Sequence, residues 1–227
     1  MPGSHGVRKE DSRAASPLRV IVADDHACVR LGVANLLRAT AWAVVVAEAD
    51  DTLALVTQLD QVDCDVIVTD LCMPGLDGEY SSLAVLRRLA RAPCAPAIVV
   101  LTMVSTPQIL TGLLHHGIDA IVDKRDTALA LLPALAAVRA RAPFLSERVH
   151  EVLALAGAAC APCAGVPSAR EWEVFQLYAQ GLSIRQIAHR LERSGKTISA
   201  QKRSVMRKLG LATERDLIRF TTQVGLT

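Results

Sequence analysis

Polar residues follow four of the apolar stretches in this sequence, at the points where predicted strands end. Asp24 and Asp25 follow the first stretch, Asp70 the third and Thr102 the fourth, and Lys124 closes the fifth. Since the carboxyl ends of parallel strands lie at one edge of a sheet, we expect these side chains to converge. Each residue alone is typical of a turn or of the surface, but five matching positions favour a common site.

Three carboxylates in one pocket require a cation, because they would otherwise repel one another and raise one another's pKa. Oxygen ligands of this kind suit Mg²⁺. Asp70 is then a carboxylate beside a metal, able to attack a phosphoryl group and form an acyl phosphate. Lys124 would balance the phosphate charge, and the Thr102 hydroxyl could hydrogen-bond a phosphoryl oxygen. Pro74 and Gly75 would hold the next loop so that the Cys72 carbonyl faces the metal.

Five short apolar strands must position these residues. They are continuous rather than alternating, as in parallel strands that are buried on both faces. Helical patterns lie between them, so we predict an open parallel sheet with helices on both sides. The predicted strands are residues 20–23, 44–47, 66–68, 98–101 and 120–122, and the predicted helices are 28–38, 52–59, 82–89, 107–115 and 128–141. Thr106 and Pro107 are typical of an N-cap followed by a first helical residue.

Beyond the predicted sheet, residues 142–167 are rich in small residues and read as a linker, with a helical start at 146–155. The chain then becomes all helical. Ser168 and Glu171 form a predicted capping box, Gly181 ends that helix, and Ser183 can cap the next one. The predicted helices start after Ser168 and cover 184–191, about 195–208 and about 214–224.

The net charge of +2 hides a split between the two parts of the chain. Residues 166–227 carry eleven Lys or Arg against five acids, whereas the rest carries fourteen against eighteen. Five of the basic residues lie within 195–210, where no acid occurs. A basic helix after a short turn predicts a helix-turn-helix whose second helix enters the DNA major groove, although a solvated basic helix is also common.

The pattern of that helix predicts which residues contact DNA. With Ile198, Val205 and Leu209 facing inward, other side chains turn outward. We predict phosphate contacts from Lys196, Thr197, Arg207 and Lys208, and base contacts from Ser199, Ala200, Lys202 and Arg203.

Residues 18–141 resemble the receiver domain of two-component response regulators. The likeness rests on Asp24-Asp25, Asp70 with Met73-Pro74-Gly75, Leu101-Thr102 and Lys124. It implies a flavodoxin-like, five-stranded parallel sheet and phosphorylation of Asp70 by a histidine kinase or phosphotransfer protein. It also implies that Asp25, Asp70 and the Cys72 carbonyl bind Mg²⁺, with Asp24 acting through water. Two residues depart from the pattern, because Ile121 replaces the usual switch aromatic and Met103 replaces a smaller residue.

Residues 166–225 resemble the LuxR-type helix-turn-helix of the NarL/FixJ subfamily, through Ser168 to Glu171, Gly181, Ile187-Ala188, Thr197-Ile198 and Lys208-Leu209-Gly210. The combination of TDLCMPG, IVVLTM, IDAIVDK and TISAQKRSVMRKLG is similar to the Rcs-type regulators of capsule synthesis. That likeness implies a phosphorelay and an auxiliary regulator as heterodimer partner. A homodimer suits a protein that reads two half-sites.

Composition sets the remaining expectations. No apolar run approaches the ~20 residues of a membrane span, so we expect a cytoplasmic protein without a membrane partner. Residues 1–17 are predicted to be a disordered arm, residues 18–141 a receiver domain, 142–167 a linker and 168–227 a DNA-binding domain. Cys160 and Cys163 have metal-like spacing, but no second ligand pair exists in the sequence, which favours an ordinary flexible segment.

The sequence therefore predicts a transcription factor controlled by phosphorylation, and not an enzyme. One alternative is a DNA-binding regulator whose receiver is an unphosphorylated dimerisation scaffold, as the residues Met103 and Ile121 permit. The other is an aspartate-based phosphatase or phosphotransferase. Such enzymes often carry a second catalytic Asp two residues after the nucleophile, where this chain has Cys72.

Overall fold

The computed structural model describes residues 16–73, 85, 86, 89, 95–156 and 167–223. Several predictions lie outside these residues. They concern most of the disordered arm, the Pro74-Gly75 turn, nearly all of the helix predicted at 82–89, and the segment with Cys160 and Cys163.

The first part of the chain forms a parallel sheet, as predicted, with strand order β2-β1-β3-β4-β5-β6. Every strand pair is parallel. The strands are β1 (Leu18–Ala23), β2 (Ala43–Ala49), β3 (Val66–Asp70), β4 (Ala97–Thr102), β5 (Ala120–Asp123) and β6 (Phe144–Leu145). Because the order reverses between β1 and β3, the carboxyl ends of these two strands frame the crevice where such sheets bind ligands.

Helices cover the sheet and build the second part of the chain. Beside the sheet lie α1 (Ala27–Arg38), α2 (Thr52–Gln61), α3 (Pro107–His115) and α4 (Thr127–Arg139). The later helices are α5 (Glu147–Ala156), α6 (Ala169–Ala179), α7 (Ile184–Arg190), α8 (Gly195–Lys208) and α9 (Glu214–Gln223). Thr106 is the N-cap residue of α3, as predicted, although its hydroxyl makes no capping hydrogen bond.

The strands are apolar without alternation because both faces of the sheet are covered. In β1, Val20 and Val22 pack into one hydrophobic cluster, whereas Ile21 and Ala23 pack into a second cluster on the opposite face. All five residues of β3 are buried. Full burial of a Val or Ile side chain stabilises a fold by about 1.5–3 kcal/mol, so the sheet holds the ends of its central strands firmly.

The sixth strand was not predicted. Phe144 and Leu145 pair with Ala120 and Ile121 of β5, inside the segment predicted as a linker. Two residues are too few to show a strand periodicity, and Pro143 directly before them is typical of a loop. The helical start predicted at 146–155 is confirmed by α5.

Capping residues define the helical part as predicted. Ser168 and Glu171 form a complete capping box at α6, and Ser183 forms another with Gln186 at α7. Gly181 adopts a φ of 88°, a left-handed conformation that favours glycine and ends α6. No described helix has both the length and the apolar character needed to cross a membrane.

Candidate functional site

Three charged side chains meet at the carboxyl edge of the sheet. Nζ of Lys124 lies 2.8 Å from Oδ2 of Asp24 and 3.2 Å from Oδ2 of Asp70. Asp24 follows β1, Asp70 ends β3 and Lys124 follows β5. Asp24 is 1% exposed and Asp70 is 4% exposed, and the Lys124 side chain is 12% exposed. The predicted convergence of these residues is therefore present.

Burial dominates the electrostatics of this pocket. Desolvation raises the pKa of Asp70 to about 6, repulsion from Asp24 and Asp25 adds to the shift, and Lys124 opposes it. For Lys124, desolvation favours a lower pKa, but attraction to Asp70 and Asp24 outweighs it and raises the pKa. Lys124 therefore keeps its charge and serves as the counterion of two buried carboxylates. One cation against two carboxylates leaves room for further positive charge.

Asp25 and His26 form the exposed rim of the pocket. Nδ1 of His26 lies 2.8 Å from Oδ1 of Asp25 and 3.2 Å from Oδ1 of Asp24. Oδ1 of Asp24 also accepts a hydrogen bond from the His26 backbone N–H. The ligand atoms of these three residues lie within 4.8 Å of one another. The oxygen donors and their incomplete neutralisation by Lys124 fit a hard divalent cation such as Mg²⁺.

Thr102 and Cys72 complete the surroundings of Asp70. Asp70 pairs with Leu101 of β4, so Thr102 lies one residue further along the neighbouring strand. Thr102 is fully buried, and its hydroxyl accepts a hydrogen bond of 3.0 Å from the Val104 N–H. Burial raises the pKa of the Cys72 thiol well above its usual range, so the thiol stays protonated at neutral pH.

The basic helix α8 presents one open face. Lys196, Ala200, Arg203 and Arg207 are exposed at helical spacing, and Thr197 is exposed beside them. Ile198 and Val205 are buried on the opposite side, as predicted. Ser194 caps the helix by accepting a hydrogen bond from the Thr197 N–H. Ser199 is half-buried at the margin of this face.

Two of the predicted DNA contacts face other parts of the protein. The Lys202 ammonium lies 3.6 Å from the centre of the Tyr178 ring and 3.4 Å from Oε1 of Glu214, and its side chain is only 18% exposed. The Lys208 ammonium lies 2.7 Å from Oε2 of Glu171. The prediction that Lys202 turns outward is therefore wrong for the structure described, because Tyr178 and Glu214 hold it against the domain.

Comparisons with known proteins agree with this architecture. Residues 20–136 match the family described as "Response regulator receiver domain", and residues 167–221 match "Bacterial regulatory proteins, luxR family". The transcriptional regulatory protein RcsB of Escherichia coli is 36% identical over 92% of this chain and 96% of the relative. The chain is a response regulator. It belongs to the phosphorylation-regulated transcription factors that join a receiver to a LuxR-type DNA-binding domain.

Other relatives of the regulator are similar over most of their length. The nitrate/nitrite response regulator protein NarP of Escherichia coli is 34% identical over 87% of this chain and 91% of the relative. A solved RcsB–DNA complex superposes with a TM-score of 0.61 at 35% identity, over 92% of this chain and 100% of the solved one. RcsB of Salmonella enterica, bound to promoter rprA with the phosphomimetic BeF3⁻, gives a TM-score of 0.69 at 35% identity, over 91% and 99%.

Several residues around the regulator's pocket were not predicted from the sequence. His26 was not predicted, although its position beside two acids is a usable signal. Asp123 is buried at the end of β5, where the Arg125 guanidinium holds it through two hydrogen bonds of 2.8 and 2.6 Å. Arg125, chiefly through its side-chain hydrogen bond, counters desolvation and keeps the pKa of Asp123 below its usual value. Acid and cation two residues apart give no distinctive pattern in a sequence.

Proposed function

We propose that Asp70 is the phosphoacceptor of this regulator, and that its phosphorylation controls DNA binding by the LuxR-type domain. The observation that carries the proposal is the contact of Lys124 with both Asp70 and Asp24. This constellation places a nucleophilic carboxylate beside a fixed cation, at the crevice of an open parallel sheet. The receiver domain is proposed to span residues 18–141, the linker 142–167 and the DNA-binding domain 168–227.

Asp70 reacts through its carboxylate oxygen, which attacks phosphorus and forms an acyl phosphate as the donor's leaving group departs. Lys124 assists in two ways. It opposes the rise in the Asp70 pKa, which keeps more of the carboxylate ionised, and its ammonium neutralises a phosphoryl oxygen. The Thr102 hydroxyl donates a hydrogen bond to another phosphoryl oxygen. Its own oxygen continues to accept the hydrogen bond from the Val104 N–H.

Mg²⁺ supplies additional charge neutralisation to the phosphoryl group when it is bound. Asp25, Asp70 and the Cys72 carbonyl would hold the ion, and Asp24 acts largely through water. Asp24 is suited to that indirect role because Lys124 already occupies its Oδ2 and His26 its Oδ1.

In this receiver the response to phosphorylation does not use the rotation of an aromatic side chain, because Ile121 stands at that position. Ile121 is fully buried in the hydrophobic cluster that also contains residues of α3. An aliphatic side chain in that position has no hydroxyl to exchange between solvent and the pocket. We infer that phosphorylation acts through Thr102, Lys124 and the backbone segments that follow them.

The exposed face of α8 is proposed to enter the major groove of DNA. Ser199, Ala200 and Arg203 would approach base edges, and Lys196, Thr197 and Arg207 would contact phosphates. Lys202 and Lys208 contribute to the positive field from their present positions. For Lys202 to reach a base it has to leave Tyr178 and Glu214.

Partners follow from the relatives. A solved structure holds two RcsB dimers bound to two parallel DNAs, which supports a homodimer on DNA for this chain. We propose a histidine kinase or phosphotransfer protein as phosphoryl donor, an auxiliary regulator as heterodimer partner, and the cytoplasm as location. The chain is a regulator and not an enzyme in this proposal.

Labelling with acetyl phosphate and Mg²⁺ tests the proposal against its two alternatives. A stable aspartyl phosphate in the wild type that is absent from Asp70→Ala supports the phosphoacceptor. Rapid turnover of external phosphate esters would instead indicate an aspartate-based enzyme. A folded wild type without any label would indicate an unphosphorylated scaffold.

A further inference from the structure

The backbone that carries Lys124 is tied directly to the linker helix α5. Lys124 begins a short 3₁₀ turn (Lys124–Asp126) between β5 and α4. β5, which leads into this turn, pairs with β6, and Asp126 at the end of the turn accepts a hydrogen bond from the Arg148 N–H of α5. The phosphoacceptor pocket and the start of the linker therefore share a short stretch of backbone.

Ser146 provides the first tie. Its backbone N–H donates to the Ile121 carbonyl and extends the β5–β6 ladder by one bond. Its hydroxyl then accepts a hydrogen bond of 3.0 Å from the Asp123 N–H, the donor directly before Lys124. Ser146 is 1% exposed, so a buried backbone donor depends on this hydroxyl.

Arg148 provides the second tie. Its Nε donates to Oδ1 of Asp126 at 2.8 Å, and its backbone N–H donates to Oδ2 of the same carboxylate at 3.3 Å. Half of the Arg148 side chain is exposed. The two ties hold both ends of the segment from Asp123 to Asp126, with Lys124 between them.

The other side of α5 leads toward the DNA-binding helices. Val149 is buried, and it belongs with Val152 and Leu153 to one hydrophobic cluster. That cluster also contains Ile109, Leu110 and Leu113 of α3, Trp172 and Phe175 of α6, and Val205 and Leu209 of α8. A displacement of α5 is thus felt by the helices on both sides of it, because packed interiors transmit strain.

We propose that Ser146 and Arg148 are positioning residues for Lys124, and that through them the linker helix α5 reports the phosphorylation state of Asp70 to the DNA-binding domain. Phosphorylation gives Lys124 a new anionic partner, and the Asp123–Asp126 backbone adjusts with it. The adjustment moves the start of α5. This inference rests on the proposed function of Asp70.

The quantity to measure is the coupling between the binding of the phosphomimetic beryllofluoride and the binding of DNA. For each full-length variant, DNA affinity is determined with and without beryllofluoride plus Mg²⁺, on a fragment enriched from a random-sequence library by the wild type. Ser146→Ala, Asp126→Ala and Arg148→Ala should reduce the ratio of the two affinities by roughly two- to thirty-fold. The affinity without beryllofluoride should stay unchanged. Glu147→Ala and Glu151→Ala, exposed on the same helix, are the matched controls and should keep the wild-type ratio.

Two further measurements separate signalling from a merely structural role. By thermodynamic reciprocity, DNA should improve beryllofluoride binding by the same factor in the wild type, and by a smaller factor in the three variants. Asp126→Ala combined with Arg148→Ala should lose no more coupling than either single change, because the two residues act through one contact.

Wild-type coupling in Arg148→Ala would overturn the inference while leaving the proposed function intact. The exposed position of Arg148 keeps this test valid even if Ser146→Ala does not fold. If beryllofluoride does not change the DNA affinity of the wild type, both the proposed function of Asp70 and the proposed role of α5 are overturned.

Discussion

The Lys124 ammonium lies 3.2 Å from the Asp70 carboxylate, although Asp70 ends β3 and Lys124 directly follows β5. The parallel sheet makes this contact possible, because it brings the carboxyl ends of β3 and β5 to the same edge. β4 separates these strands, and the length of the lysine side chain spans the gap. The contact converts two buried acids into a partly neutralised pocket.

Loss of the lysine charge should destabilise the receiver. Lys124→Met leaves Asp24 and Asp70 buried without their cation, and removal of one partner from a buried ion pair typically costs about 3 kcal/mol or more. We expect a loss of this size in urea unfolding at pH 8 without Mg²⁺, and a larger stabilisation by Mg²⁺ than in the wild type. Arg38→Met, which removes an exposed cation of α1, is the control. A loss no larger than that of the control would contradict the expectation.

The raised pKa of Asp70 predicts a pH dependence of stability. Its pKa is about 6 in the folded chain against an ordinary value of 3.8. A carboxyl group of this kind binds its proton more tightly when folded, so its contribution is complete below about pH 4 and is lost as the pH rises through about 6. Without Mg²⁺, the free energy of unfolding of Asp70→Asn should rise by about 2 kcal/mol relative to the wild type when the pH is raised from 4 to 7. A constant difference between the unfolding free energies of the two proteins across this pH range would argue against the raised pKa of Asp70.

Glu171 should give the opposite pH dependence in the DNA-binding domain. Although desolvation favours a higher pKa, the hydrogen bonds from Lys208, Ser204 and Ser168 lower the pKa of Glu171 to about 2. Its contribution is therefore present above about pH 4.5 and is lost as the pH falls toward 2.

Removal of the Glu171 charge tests this sign. Glu171→Gln should cost about 1 kcal/mol at pH 7, a modest value because solvent screens the partly accessible pair, and less at pH 3. Thermal unfolding of the two proteins measures the difference. Glu147→Gln, at an exposed site in α5, should show neither effect. A loss of stability in Glu171→Gln that is larger at pH 3 than at pH 7 would contradict the lowered pKa of Glu171.

Arg203 and Lys202 should differ in their effects on DNA binding. Arg203 is exposed on the open face of α8, so Arg203→Ala should weaken specific binding by about 1–3 kcal/mol and relax the sequence preference. Lys202→Ala should weaken binding less and lower the melting temperature, because it removes contacts with Tyr178 and Glu214. Titration on enriched and random DNA measures both effects. Equal losses of specific binding with unchanged stability would show that Lys202 moves to the DNA.

Most of the fold and the pocket could be predicted because the signals are local. An apolar run followed by a polar residue marks the end of a buried parallel strand, and Asp24, Asp70, Thr102 and Lys124 all lie at such ends. The capping boxes of α6 and α7 are equally local, since each satisfies backbone donors within a few residues.

The features that escaped prediction depend on contacts between distant segments. β6 has only two residues and exists because β5 offers a free edge. Lys202 has the spacing of an outward residue, but its position depends on Tyr178 and Glu214 from other helices. Ser146 looks like an ordinary helix-start residue, and its hydrogen bond to Asp123 becomes visible only when the strands are aligned.

DNA affinity before and after phosphorylation of Asp70 tests the central claim most directly. The wild type and Asp70→Ala are titrated onto the same enriched DNA fragment, each before and after treatment with acetyl phosphate and Mg²⁺. The wild-type affinity should change on treatment, in step with the fraction of Asp70 found phosphorylated by peptide mapping, while that of Asp70→Ala stays constant. The same change in both proteins, or none in a wild type that is fully phosphorylated at Asp70, would contradict control through this pocket.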